Sequence, residues 1–193
     1  MLMNTHKIIA QGVITNLELN KKVLINDKHF IWGNLKPDMT SKYKLVKHYK
    51  DESFNLILNK IDYLSSLSFD DIRKWYPMSS FNQELGVICH FLCDFFCIPH
   101  YERWEFKHSM NKHIKYEREL DLVAKEYLVK NEREIIVTGR TAKDFIDKLQ
   151  VEYNSKKDYI NDLEYASYVC NSIVNYILDN VIYNSNVIVF SAV

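Results

Sequence analysis

The sequence predicts an all-α protein built as a bundle of long helices. Glycine (4) and proline (3) are scarce among the 193 residues, so turns should be few and helices long. Apolar residues make up 47% of the chain, enough for one core, and they recur at helical spacing through most of it. We therefore predict a single helical domain over residues 1–193.

The first part of the chain contains two predicted helices separated by a predicted loop. Residues 4–18 have apolar positions at near-helical spacing, with Asn4 or Thr5 as N-cap. Asp51 caps a second helix that ends near residue 66. Between them, residues 26–50 lack a regular period and contain Gly33 and Pro37, which predicts a long loop. Loops of this length in compact domains are often functional.

The most apolar helix is predicted over residues 83–96, and it should be the central, buried one. Ser80 and Gln83 have the spacing of a capping box at its start, and Pro99 should stop it. Three further helices are predicted over residues 108–130, 141–154 and 157–182. The apolar run at residues 187–190 is interpreted as a tail packed on the body.

Charge and cysteine content exclude several classes of protein. Lys plus Arg balance Asp plus Glu at 25 each, so the chain has no general attraction to nucleic acid. No apolar run approaches the ~20 residues of a membrane span, and the first residues do not resemble a signal peptide. The four cysteines form neither a CxxC pair nor a disulfide framework. We expect a cytoplasmic protein in a reducing compartment, with no transmembrane segment.

The predicted central helix contains His90 and Asp94, four residues apart and therefore on one face. A buried carboxylate without compensation is very costly, so a neighbouring histidine at helical spacing suggests that both bind one metal. Gly86 lies one turn earlier on this face, where its missing side chain would let another segment approach.

Further candidate ligands occur on both sides of this pair. His100 follows the helix, and His113 and Glu117 are again four residues apart on the next predicted helix, with Asp121 continuing their stripe. The five ligands exceed one tetrahedral zinc site, so at least two metal ions are implied. The predicted loop and the first helix can add three more: Asp38, His48 and His6.

A single His-x-x-x-acid pair is more often an ordinary core histidine beside an acid than a metal site. Residues 90–117, however, contain four of the seven histidines, and two of these are paired with carboxylates at helical spacing. This joint pattern favours a metal cluster. A ferritin-like di-iron site is excluded because it requires Glu-x-x-His on paired helices.

In this order the residues resemble the bacterial zinc-dependent phospholipase C family. That family has a histidine near the start of its first helix, then Pro-Asp and a histidine in a loop, then H-x-x-x-D-x-x-x-x-x-H and H-x-x-x-E. The corresponding residues here are His6, Pro37-Asp38, His48, His90 with Asp94 and His100, and His113 with Glu117. The central segment is the most specific part of the resemblance, which spans residues 6–117.

The resemblance implies a helical bundle around a metal-carrying helix, with two zinc ions expected and a third allowed. It assigns to the first ion Asp38, His48, His90 and Asp94, and to the second His100, His113 and Glu117. Asp94 would also bridge toward a third ion, and His6 would complete the binding site of that ion. Family members are usually secreted and use the amino group of an N-terminal tryptophan at that third ion. Here the five residues before His6 include no tryptophan, so another group, such as the Met1 amine or a water, would have to replace it.

The resemblance also implies hydrolysis of a phosphodiester bond, in a phospholipid or another phosphodiester, by a metal-activated water. Two zinc ions would clamp the substrate and lower the pKa of the water, and Asp38 would orient that water or take its proton. Trp32, Tyr43 and Tyr49 are expected at the mouth of the site or in loop packing. Two alternatives stay open: a zinc nuclease or other phosphodiesterase, which the neutral charge disfavours, and a non-catalytic metal-binding protein. The sequence implies neither a head group nor an oligomeric state.

Overall fold

The computed structural model describes residues 1–43, 45–104, 106–127 and 141–191, of which 106–108 and 186–191 are described by their backbone alone. Over these residues the protein consists of ten α-helices and one 3₁₀ turn, with no strand. The all-α prediction is confirmed. Among the described helices, none combines the length and apolar character needed to span a bilayer.

The helices follow one another with short connections. In chain order they are α1 (Met3–Asn16), α2 (Leu19–Lys22), α3 (Asp27–Met39), α4 (Lys50–Ser66), α5 (Phe69–Lys74), α6 (Met78–Phe95), α7 (Ile98–Tyr101), α8 (Phe106–Glu126), α9 (Ala142–Tyr153) and α10 (Tyr159–Ser191). A 3₁₀ turn, Ser41–Tyr43, lies between α3 and α4. The six predicted helices correspond to α1, α4, α6, α8, α9 and α10, although residues 128–130 lie outside the described part of the chain. The backbone of the predicted tail at 187–190 continues α10.

The predicted loop over residues 26–50 is wrong, because its first half is the helix α3. The Asn26 side chain caps this helix by accepting a hydrogen bond from the His29 N–H. Gly33 lets the α3 backbone lie directly against α6, since a Cβ there would come within 2.2 Å of the Gln83 carbonyl oxygen. Pro37 lies inside the helix and removes one N–H from its hydrogen-bond ladder. Gly33 therefore serves helix packing here, and Pro37 lies within a helix although proline is more usual in loops.

The N-cap of α1 is Leu2, not Asn4 or Thr5. The side chains of both residues instead donate hydrogen bonds to Oδ1 of Asp121, at 2.8 and 3.1 Å. Asp121 therefore fastens the start of α1 to α8 and lies in none of the metal-ligating groups of the described residues.

The capping box predicted at Ser80 and Gln83 is also wrong, since α6 already begins at Met78. The capping box observed is Ser68 with Asp71, at the start of the short helix α5, which the sequence did not predict. Its short length leaves too little apolar periodicity to detect.

The prediction of a central, buried helix is confirmed by α6. Its residues from Leu85 to Phe95 are all buried, and α3, α10, α4 and α1 pack around it. Gly86 permits the close approach that the sequence predicted: a Cβ there would lie 2.3 Å from the Phe30 carbonyl oxygen and 2.5 Å from the Asn34 nitrogen. The contact between α3 and α6 is therefore backbone against backbone, beside His90.

Candidate metal centre

The structure brings all eight predicted ligand residues together. They form three groups, and within each group one ligand atom per residue lies within 4.8 Å of the others. The groups are His6–Asp38–His90, His48–His90–Asp94 and His100–His113–Glu117. The first two share His90. The contributing elements are α1, α3, the segment before α4, α6, α7 and α8.

The orientation of His90 follows from the close contact between α3 and α6. Its Nδ1 donates a hydrogen bond to the backbone carbonyl of Asn34 at 2.8 Å. A carbonyl can only accept, so Nδ1 carries the proton and Nε2 presents its lone pair to the cluster. That Nε2 lies 3.2 Å from Nδ1 of His48 and 3.6 Å from Oδ1 of Asp38. Such a backbone partner is typical of histidines that bind metals.

Asp94 is the carboxylate around which the imidazoles converge. Its Oδ2 lies 2.8 Å from Nδ1 of His48 and 3.4 Å from Nε2 of His90. Its Oδ1 lies 3.4 Å from Nε2 of His6 and 3.6 Å from Nε2 of His100. With a side chain only 1% exposed, Asp94 lies between the two ends of the cluster, where a bridging ligand belongs.

The third group is held by α7 and α8. Oε1 of Glu117 lies 3.0 Å from Nε2 of His113 and 3.1 Å from Nε2 of His100. Nδ1 of His113 donates to the backbone carbonyl of Trp104 at 3.3 Å, which leaves Nε2 directed at the carboxylate. Both histidines can therefore offer Nε2 to a common ion.

The terminal amine of Met1 lies inside this cluster. It donates a hydrogen bond to Oδ1 of Asp94 at 2.5 Å and lies 3.0 Å from Oε1 of Glu117 and 3.2 Å from Nε2 of His100. Burial opposes its charge, but Asp94 and Glu117 outweigh burial and raise its pKa well above the ordinary value. Without metal, a buried positive charge therefore lies among the clustered carboxylates.

The pKa values in the cluster reflect burial opposed by charge. Burial would raise the pKa of Asp94, but the charges of His100, the terminal amine and His6 hold it well below its usual range. Burial would lower the pKa of His6, yet Asp94 raises it to about 9. Burial and the neighbouring His6 charge lower the pKa of His90 well below its ordinary value, so its ring is neutral. A neutral imidazole is the form that binds metal.

The residues present fit a zinc centre. Both ring nitrogens of His6, and Nδ1 of His100, are buried without a hydrogen-bond partner. Buried polar atoms normally have partners, so these nitrogens call for one that the protein itself does not supply. Imidazole nitrogens with carboxylate oxygens are the ligand set that zinc prefers when thiolates are absent. A cluster of zinc ions would satisfy both the unpartnered nitrogens and the converging carboxylates.

A cavity of about 840 Å³ opens above the cluster. Asp38, His48, His100, His113 and Glu117 line it from the cluster side. Its other walls are apolar, aromatic or basic: Met1, Leu2, Met3, Pro37, Tyr43, Val46, Lys47 and Tyr49. Tyr43 and Tyr49 line the cavity, which is one of the two positions expected for them, whereas Trp32 does not line it and is 38% exposed.

The sequence did not identify the backbone carbonyls of Asn34 and Trp104, which orient His90 and His113. Every residue has a carbonyl, so no sequence signal distinguishes these two. The only indication of the approach of α3 to His90 is Gly86, which lies one turn before His90 and leaves room for the α3 backbone.

A family model described as zinc-dependent phospholipase C matches residues 5–176 of the chain. No curated protein and no solved structure matches the chain. The matched range includes all eight predicted ligand residues.

Proposed function

Because the chain belongs to the zinc-dependent phospholipase C family, we propose that it uses zinc ions bound by the clustered residues to hydrolyse phospholipids at their phosphodiester bond. The observation that carries the proposal is that five of the eight clustered residues line one side of a cavity whose other walls are mainly apolar. A phosphodiester at the cluster would leave the diacylglycerol part of a lipid against those apolar walls.

The rim of this cavity also favours a lipid substrate. Several large apolar side chains that line the cavity, or lie within three residues in sequence of a lining residue, are exposed to solvent: Met3 (48%), Met39 (52%), Leu45 (95%), Met110 (43%) and Ile114 (36%). Exposed apolar patches on a protein surface commonly mark sites of interaction with membranes or other partners. The rim therefore supports substrate presented at a lipid surface.

The charge of the cavity disfavours nucleic acid as the substrate. Proteins that bind single-stranded nucleic acid use a positively charged groove that follows the backbone. Of the described residues lining this cavity, the one lysine is Lys47, and it lies 3.5 Å from a carboxylate oxygen of Glu52. A zinc nuclease is therefore the second hypothesis.

In the proposed reaction the attacking water forms a bond to phosphorus, the bond from phosphorus to the leaving oxygen breaks, and Asp38 accepts the proton of the water. The bound zinc ions would supply a water of lowered pKa and positive charge that neutralises the phosphoryl oxygens. Asp38 is suited to take the proton of the attacking water, because its side chain is 30% exposed to the cavity and its Oδ1 lies 3.9 Å from Nδ1 of His48. Burial and the charge of Asp94 raise the pKa of Asp38, which makes it a better proton acceptor.

The proposal is tested with zinc-loaded protein and three substrates: phosphatidylcholine vesicles, a soluble chromogenic phosphodiester and single-stranded DNA. We expect vesicle hydrolysis with release of diacylglycerol, loss of activity with a chelator, and recovery with added zinc. Faster cleavage of DNA than of lipid would favour the nuclease. Failure of fully zinc-loaded protein to cleave any of the three would favour a non-catalytic metal-binding protein.

A further inference from the structure

Asp162 in α10 is a fully buried carboxylate that lies outside the three ligand groups. It accepts hydrogen bonds from three other helices. The backbone N–H of Ile98 donates to its Oδ2 at 3.1 Å, the hydroxyl of Tyr116 donates to the same oxygen at 3.0 Å, and the hydroxyl of Tyr153 donates to Oδ1 at 2.6 Å. A buried carboxylate requires such donors, and here they join α7, α8 and α9 to α10.

Two of these donors belong to the elements that carry the group His100–His113–Glu117. Ile98 is the first residue of α7 and lies two residues before His100. Tyr116 directly precedes Glu117 in α8. Asp162 thus ties both sides of this ligand group to α10 through a single oxygen atom.

The third ligand of the group is connected through Trp104. The Tyr116 ring packs edge-on against the Trp104 ring, with centroids 5.6 Å apart. The backbone carbonyl of Trp104 accepts the hydrogen bond from Nδ1 of His113 that directs Nε2 at Glu117. A shift of Tyr116 would therefore disturb the orientation of His113 as well as the position of Glu117.

The other five clustered residues lie on elements that the Asp162 side chain does not contact by these hydrogen bonds. Within the described residues, the hydrogen bonds accepted by the Asp162 side chain come from α7, α8 and α9 and from the Cys97 thiol, at the N-cap of α7. The ligands His6, Asp38, His48, His90 and Asp94 lie on α1, α3, the segment before α4 and α6. Loss of the Asp162 contacts should thus affect one group much more than the other two.

We propose that Asp162 is a positioning residue that selectively organises His100, His113 and Glu117 for one zinc ion. This inference depends on the proposed function only in requiring zinc at that group. Residues that orient metal ligands from behind typically change metal affinity about 10–100-fold when they are replaced.

The test is a zinc titration of metal-free full-length protein against a chromophoric chelator, with thermal unfolding of each metal-free variant. Asp162→Asn keeps the size of the side chain but replaces one accepting oxygen with an NH₂ donor. We expect zinc binding at His100–His113–Glu117 to weaken about 10–100-fold, while zinc bound elsewhere in the cluster keeps its affinity. Tyr116→Phe should weaken the same site by a smaller factor. The matched control is Tyr153→Phe, which removes a hydroxyl donor to the same carboxylate from α9, an element without ligands. Its zinc affinities should stay within about twofold of wild type, well short of the change expected at an organised site.

Equal weakening of all sites in step with the melting temperature would overturn the proposal, as would unchanged affinity in both Asp162→Asn and Tyr116→Phe. Wild-type protein that binds no zinc would overturn it too. If Asp162→Asn does not fold, Tyr116→Phe decides the outcome alone. Zinc binding without phosphodiester cleavage would instead contradict the proposed function and leave the positioning role supported.

Discussion

Nε2 of His6 lies 3.4 Å from Oδ1 of Asp94, the same oxygen that accepts the hydrogen bond of the terminal amine. The His6 ring stacks on that of His90 with centroids 4.0 Å apart. His6 is therefore an integral, fully buried part of the cluster. Its ligand group, however, shares His90 with the neighbouring group, whereas the group of His113 shares no member with the others.

This sharing predicts that His6 and His113 differ in importance. His6→Ala removes a ligand from a group that competes for His90, while His113→Ala removes one of three ligands from a separate group. We expect His6→Ala to keep two zinc ions and more phosphodiesterase activity than His113→Ala, as measured by elemental analysis and turnover of a soluble phosphodiester. Equal damage would show that the third site is essential.

Asp94→Asn should cost both metal and stability. Without the negative charge, the buried terminal amine and His6 lose the carboxylate that stabilises their charges, and breaking a buried ion pair costs about 3–5 kcal/mol. Zinc stabilisation of the folded state would be lost as well. Denaturant unfolding and elemental analysis measure the two effects. Asp70→Asn, at an exposed ion pair in α5, is the control and should change neither. An Asp94→Asn protein with normal stability and zinc content would show that Asp94 is an ordinary polar residue.

Gly86→Ala should separate α3 from α6. Its Cβ would lie 2.3 Å from the Phe30 carbonyl oxygen, so the two backbones must move apart and the Asn34 carbonyl must leave His90. We expect a loss of about 1–3 kcal/mol in unfolding free energy together with weaker zinc binding. Gly12→Ala in α1 is the matched control and should be neutral or slightly stabilising, since alanine favours helix. Normal zinc affinity in Gly86→Ala would contradict the role of this contact.

Leu45→Glu should distinguish lipid surfaces from soluble substrates. The side chain is 95% exposed and precedes Val46, which lines the cavity, so its replacement should leave folding unchanged. A charge there opposes contact with a lipid surface, and we expect activity on phosphatidylcholine vesicles to fall several-fold while hydrolysis of the soluble phosphodiester stays at wild-type level. Leu19→Glu, at a position 83% exposed on α2 and outside the cavity lining, is the control. Parallel losses on both substrates would argue against a docking role for the rim.

The raised pKa of Asp162 predicts a specific pH dependence of the unfolding free energy of the metal-free protein. Burial raises its pKa to about 7 from an ordinary value of 3.8, against the opposing hydrogen bonds of Tyr153, Ile98, Tyr116 and the Cys97 thiol. A raised pKa means that the folded state binds the proton more tightly, so this group stabilises the fold below pH ~4 and loses that contribution as the pH rises to ~7.

Comparison with Asp162→Asn isolates this effect from other titrating groups. The wild-type minus variant difference in unfolding free energy should fall as the pH rises from 4 to 7, with a slope of at most about 1.4 kcal/mol per pH unit. Urea unfolding with chelator present measures it. Parallel curves for the two proteins would contradict the raised pKa.

The sequence alone predicted the helical class, the central helix and the eight candidate ligand residues that the fold brings together. Helical spacing is a local property: His90 with Asp94, and His113 with Glu117, must project from one face wherever their helices lie. The buried run of α6 likewise follows from its apolar composition. Chemistry carried by side-chain type and spacing can therefore be predicted before any contact is known.

Tertiary structure alone decided how the ligands are oriented. The carbonyls of Asn34 and Trp104 fix two histidine tautomers, and Asp162 joins α7 and α8, yet a carbonyl is common to every residue and Asp162 lies far along the chain from its partners. The error at α3 has the same origin. Gly33 and Pro37 disfavour helix locally, but close packing of α3 on α6 more than compensates, and no local signal reports a contact between distant segments.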